Sequence, residues 1–324
     1  MSKIKLIEVN SDLGGRYPGA RIGPDAVRIA SHFVQDGINL YSRFKDDLFT
    51  SIEVPSHLYH QGFNYAYAKR IEYIYPLFER ICDSVSNSIL NHDFTVVLSG
   101  DHISAGGTIA GIKHAIPKSR LGIVWIDAHS DVHNPYTSDT GNMHGMPLST
   151  AINDDNIECK FNDICPETKE WWEKLKGVGG TKNKVKMSDV VYIAVRDFEQ
   201  AENSMFQRHQ NKIFRTFDVR SQGAKEIAYQ ALDHLSHCDV IYVSFDVDSL
   251  DPIVSKGTGT TSEYGLYFRE AKEILNTLVA YDKTYCLEIS EINPILDTKN
   301  SMGEIGYELL KSCCRVLDLK KVRH

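Results

Sequence analysis

Leu121-Gly122-Ile123-Val124-Trp125-Ile126-Asp127-Ala128-His129-Ser130-Asp131 sets a short apolar run directly against three potential metal ligands at alternate positions. A run of this length, partly β-branched and stopped by polar residues, predicts a buried strand rather than a helix. The same grammar recurs. Residues 94–98 lead into Ser99-Gly100-Asp101-His102, and 240–245 into Asp246-Val247-Asp248, closed by Ser249-Leu250-Asp251-Pro252. Residues 284–289 lead into Glu291-Ile292-Asn293-Pro294, while 5–9, 190–195 and 213–217 are further strand-like runs without such endings.

Between the runs lie helix-like segments: one opened by Gly23-Pro24-Asp25, a long one over 65–90, and others near 104–114, 167–176, 225–235, 268–278 and 302–317. Pro24 suits an early helical position, where its missing N–H is harmless. Strands alternating with crossover helices predict an α/β fold, a mainly parallel sheet between two helical layers. No repeat or linker divides the chain, so one domain is expected over residues 1–324. The polar interval 153–188 contains Gly177-Val178-Gly179-Gly180-Thr181-Lys182. It lacks the spacing and context of a phosphate loop, so a mobile surface connection is the better reading.

Composition narrows the function classes. The formal charge of −7, from 36 basic against 43 acidic residues, argues against partners held by their phosphates, nucleic acid or an anionic membrane. A hydrophobic share of 42% is ordinary globular usage and supports a full core. Seven cysteines, an odd number without paired spacing, read as free thiols in a reducing compartment. With neither a leader pattern nor a long apolar span, a cytoplasmic protein is expected.

In a parallel sheet all four decorated run ends fall at one edge, where ligands of α/β folds bind. Extended backbone repeats its side-chain direction at every second residue, which lets Asp127, His129 and Asp131 point one way, as Asp246 and Asp248 do, so that two short segments present five potential ligands to one point. Ionised aspartates crowded into a partly dry cleft need a compensating cation. Oxygen-rich ligands with a minority of imidazole, and no cysteine, favour a first-row divalent ion such as Mn²⁺ over structural zinc. His102, Asp127, His129, Asp131, Asp246 and Asp248 are too many for one tetrahedral centre and suit a pair of ions with bridging carboxylates. Asp101 and Asp251 read as turn-forming or supporting residues. His32, His57, His60, His92, His114, His209, His234, His237 and His324 stand outside any cluster and read as ordinary histidines.

The segments at 99–102, 127–131 and 244–252 resemble, in order and strand context, the three metal motifs of the arginase and agmatinase, or ureohydrolase, family. The likeness runs from Gly23-Pro24 to Glu291-Ile292-Asn293-Pro294, and Thr140-Gly141-Asn142-Met143-His144-Gly145-Met146-Pro147 is more like the loop of arginases than of agmatinases. The resemblance implies an arginase-like fold, with one ion on His102, Asp127, Asp131 and Asp246. It implies a second ion on Asp127, His129, Asp246 and Asp248. The ions would be manganese, with Co²⁺ as an alternative, and would activate a shared water for attack on a guanidinium carbon. Glu291 matches the carboxylate that orients the guanidinium, Asp131 would accept a hydrogen bond from the attacking oxygen, and His144 matches the proton-shuttle histidine. For the substrate's head group the matching positions are His133, Ser138, Thr140, Glu199, Glu202 and Thr260. Two depart from the family pattern: His133 stands where Asn is usual and Glu199 where Asp is usual.

The resemblance points first to hydrolysis of L-arginine to L-ornithine and urea by a homotrimer. Agmatine, guanidinobutyrate or formimidoyl-glutamate are the alternative substrates. From other classes, a non-catalytic metal-binding homologue is disfavoured by the intact ligand set, and a two-metal phosphoesterase by the presence of Arg196 alone as a phosphate clamp in the motifs.

Overall fold

The computed structural model describes residues 3–33, 39–91 and 94–320; His92 and His324 lie outside them. Eight strands form one sheet: β1 (Ile4–Asn10), β2 (Phe49–Glu53), β3 (Phe94–Ser99), β4 (Leu121–Ile126), β5 (Val190–Ile193), β6 (Ile213–Phe214), β7 (Val240–Asp246) and β8 (Thr284–Ser290). Their order is β2-β1-β3-β8-β7-β4-β5-β6, and every pairing is parallel. The expected parallel α/β sheet is thus the observed one.

The helices are α1 (Gly23–Ala30), α2 (Ile71–Asn91), α3 (Ser104–Ala115), α4 (Ser149–Ile152), α5 (Pro166–Gly177), α6 (Gln200–His209), α7 (Thr216–Gln222), α8 (Ala224–His234), α9 (Phe268–Val279) and α10 (Ser301–Lys320). They cover both faces because the central strands alternate between two cores. Val124 and Ile126 of β4, with Val243 and Phe245 of β7, pack under α1, α8, α9 and α10. Ile123 and Trp125 of β4, with Tyr242 of β7, pack under α2, α3 and α5. The period of two along each strand produces the three layers.

Some boundaries differ from the sequence reading. The run 213–217 is strand only to Phe214, because the Asp218 carboxylate accepts the Arg215 N–H at 2.7 Å and starts α7. Phe217 is therefore a helical residue and is 76% exposed. The run 190–195 stops at Ile193, where Ala194 takes a positive φ of 74°. The helix expected from residue 65 begins at Ile71, since Arg70 is left-handed at φ 59°. Strand β2 was not readable as an apolar run, because Ile52 is its one fully buried residue. Helix α6 is polar apart from Ala201, Met205 and Phe206. The connection 177–189 is anchored: Val178 is buried, and Lys184 Nζ donates to the Lys176 and Thr150 carbonyls at 2.6 and 3.1 Å.

Candidate metal centre

Strands β3, β8, β7 and β4 are four consecutive members of the sheet, so the endings read from the sequence meet at its carboxyl edge. Turns, not strand alternation, complete the convergence. Strand β4 stops at Ile126, and Asp131 reaches the site from a positive φ of 54°. Beyond β7, Val247–Ser249 forms a 3-10 turn pinned by the Asp248 N–H donating to Asp246 Oδ1 at 2.8 Å. Glu291, at φ 65°, donates its N–H to the Gly100 carbonyl at 2.7 Å and so joins the β8 and β3 turns.

The candidate ligands form two groups that share Asp127: His102, Asp127 and Asp131, and Asp127, His129 and Asp248. His102 Nδ1 lies 3.1, 2.9 and 3.1 Å from carboxylate oxygens of Asp127, Asp131 and Asp246. His129 Nδ1 lies 2.9 Å from Asp248 Oδ2 and 3.5 Å from Asp127 Oδ1. Burial and the neighbouring Asp127 carboxylate push Asp131 up to about 6 and raise Asp248; burial and then Asp248 raise Asp246. Burial opposes ionisation of Asp127 too, but with the His102 and His129 rings charged, their hydrogen bonds hold it below the usual carboxylate range.

These residues fit a cation-binding site. The His102 ring places Nε2 2.7 Å from Ser244 Oγ, whereas buried Nδ1 has no well-formed hydrogen bond. With Nε2–H donating to Ser244, the Nδ1 lone pair faces carboxylate lone pairs, an arrangement that a cation relieves and water-free burial does not. Two supporting residues carry no spacing signal in the sequence. Trp125 stacks on His102 with ring centres 4.3 Å apart and donates Nε1–H to Asp127 Oδ2 at 3.0 Å. Ser244 is the other. Beneath them buried Glu288 accepts from Ser99 at 2.7 Å and from Tyr242 at 2.9 Å.

A cavity of about 240 Å³ opens above the cluster, lined by His129, Asp131, Asp246 and Asp248 and by His144, His133, Ser138, Thr140, Glu199, Glu202 and Thr260. Glu291 lies beside it. Its Oε1 accepts the His102 N–H at 2.9 Å and faces His144 Nδ1 at 3.3 Å. Burial opposes charge on both, but their mutual hydrogen bond outweighs it, raising His144 and lowering Glu291. His133 Nε2 faces Glu202 at 3.4 Å and Glu199 at 3.7 Å, and Thr260 Oγ1 donates to Asp248 Oδ2 at 3.1 Å. Asp101 and Asp251 hold turns: Asp101 accepts the N–H groups of Gly14 and Gly15, Asp251 those of Ile253 and Gly265.

Other features do not compete with this site. A larger hollow of about 930 Å³ between α8 and α9 has no histidine or cysteine among the described residues on its walls. Asp189, His237 and Cys238 lie together at the opposite sheet edge, but Arg120 already grips Asp189 through two 2.8 Å bonds.

Residues 2–315 match the model of the Arginase family. The chain belongs to the arginase family. An arginase of Brevibacillus brevis is 31% identical over 314 residues, covering 95% of this chain and 96% of that one. An arginase of Bacillus subtilis (strain 168) is 30% identical over 312 residues, again covering 95% and 96%. The native arginase structure from Bacillus caldovelox superposes with a TM-score of 0.79 at 29% identity, covering 97% of this chain and 98% of that one. The arginase-family resemblance of the three motifs is thereby matched by sequence and by fold across nearly the whole chain. No described helix is long and apolar enough to cross a membrane.

Proposed function

We propose that this arginase-family chain is a single-domain, binuclear-metal hydrolase that converts L-arginine to L-ornithine and urea. The observation that carries the reading is the pair of ligand groups sharing Asp127 at the floor of a cavity that Glu291 and His144 flank. His102, Asp127, Asp131 and Asp246 would hold one ion, and Asp127, His129, Asp246 and Asp248 the other. Mn²⁺ suits this oxygen-rich set, with Co²⁺ as a substitute. When bound, the two ions supply Lewis acidity that lowers the pKa of a water and neutralises the buried acids.

The remaining work falls to side chains. The Glu291 carboxylate orients the guanidinium by charge-assisted hydrogen bonds, which favours the attacked carbon presenting one face. Asp131 accepts a hydrogen bond from the attacking oxygen. His144 relays protons between solvent and the departing amine, a role its position opposite Glu291 supports. His133, Ser138, Thr140, Glu199 and Glu202 surround the head group, and Thr260 acts through Asp248. A homotrimer in the cytoplasm is the expected setting; the seven cysteines, all free thiols, accord with a reducing compartment.

Urea release from arginine against agmatine tests the reading. Arginine is expected to be the better substrate in the Mn²⁺-loaded protein. Turnover of agmatine alone would replace it with an agmatinase.

A further inference from the structure

The two rims of the cavity differ in what they leave available to a ligand. On one rim Ser138 Oγ accepts the Gly141 N–H at 2.9 Å and Thr140 Oγ1 the Asn142 N–H at 3.2 Å, so both hydroxyl hydrogens remain free to donate. Arg16 is the one arginine among the described residues that line the cavity, and no lysine is among them. On the other rim the acceptors are largely spent. Buried Glu202 already receives the Ser130 hydroxyl and, at 2.7 Å, the Glu199 N–H, while His133 Nε2 lies 3.4 Å from its Oε2. The same nitrogen lies 3.7 Å from Glu199, the half-exposed carboxylate that remains. His133 Nδ1 faces Thr137 Oγ1 at 3.4 Å, which leaves Nε2–H for the acids whether the ring is neutral or charged.

Resting on the guanidino-hydrolase reading above, we propose that this pocket selects guanidino acids through their carboxylate and leaves the α-amino group almost unread, because the His133 imidazole stands against both carboxylates an ammonium would use. His133 is then the specificity-determining residue.

The test compares kcat/KM for arginine, 5-guanidinopentanoate, which lacks the amine, and agmatine, which lacks the carboxylate. Losing the amine is expected to cost less than about tenfold and losing the carboxylate about a hundredfold, the range of a charge-assisted hydrogen bond. In His133→Ala the freed carboxylates should raise the preference for arginine over 5-guanidinopentanoate by about tenfold. His133→Asn, too short to reach Glu202, gives the same reading if the alanine variant does not fold. Agmatine turned over as well as 5-guanidinopentanoate, or preferences unmoved by either substitution, would overturn the proposal. If no substrate yields urea, the hydrolase reading fails by itself. Calorimetry on the Mn²⁺-loaded protein still decides the pocket: 5-aminopentanoate binding within about tenfold of ornithine supports it, and putrescine binding more tightly overturns it.

Discussion

Asp127 is the residue on which the proposed centre depends. It belongs to both ligand groups, is buried, and accepts the Trp125 indole N–H at 3.0 Å and the His129 backbone N–H at 2.7 Å. Asp127→Ala is expected to lose metal and activity together, read by metal analysis after gel filtration and by urea release. His144 lines the cavity and pairs with Glu291 rather than with the cluster. His144→Ala should keep its metal and lose about a hundredfold in kcat, as removal of a proton relay does. Unchanged turnover in Asp127→Ala would refute the binuclear assignment. The six candidate ligands were legible because acids and histidines gathered after apolar runs are chemically costly without a cation. The roles of Trp125 and of Ser244, which opens the 244–252 segment, were not legible, since an indole or a hydroxyl inside a strand reads as packing until its partner across the sheet is known. The His133 departure was visible as a residue type, but its attachment to Glu202 depends on α6, which the sequence reading did not place.

At the scale of elements, the strand endings were readable and their order was not. Nothing in the apolar runs says that β7 and β8 insert between β3 and β4. That insertion is what makes four endings neighbours. The turns that aim Asp131, Asp248 and Glu291 depend on positive φ values or a 3-10 turn that local propensity does not announce. Lys184 shows the same limit. It sits in a polar interval that read as a loose connection, yet its Nζ ties the end of α5 to α4 through two carbonyls. Burial, with no carboxylate partner among the described residues, pushes its pKa from 10.5 down to about 7. Below that value the folded chain bears the whole cost of a buried ammonium. Between the two values the folded state has shed a proton that the unfolded chain keeps, so this group makes stability rise with pH across that window. Urea midpoints at about pH 7 and about pH 9.5 should separate wild type, which gains, from Lys184→Met, which lacks this gain. Equal changes in both proteins would contradict the assignment.

For the whole molecule, the all-parallel sheet with a core on each face puts its chemistry where such folds concentrate it, beyond the carboxyl ends of central strands. The fold class was legible from alternation of runs alone, because period two along strands and helical spacing between them leave few other architectures. The surplus of acid also changes meaning at this scale. It first excluded phosphate-bearing partners, and part of it now lies in one cleft, as Asp131, Asp246, Asp248, Glu199 and Glu202, facing a space suited to cations. The most direct test of the account is a Mn²⁺ titration of metal-stripped protein with urea release from arginine followed at each step. Activity is expected to rise with bound metal and to saturate at about two ions per chain, as a two-metal centre requires. Full activity in metal-free protein, or two bound ions with no urea released, would contradict it.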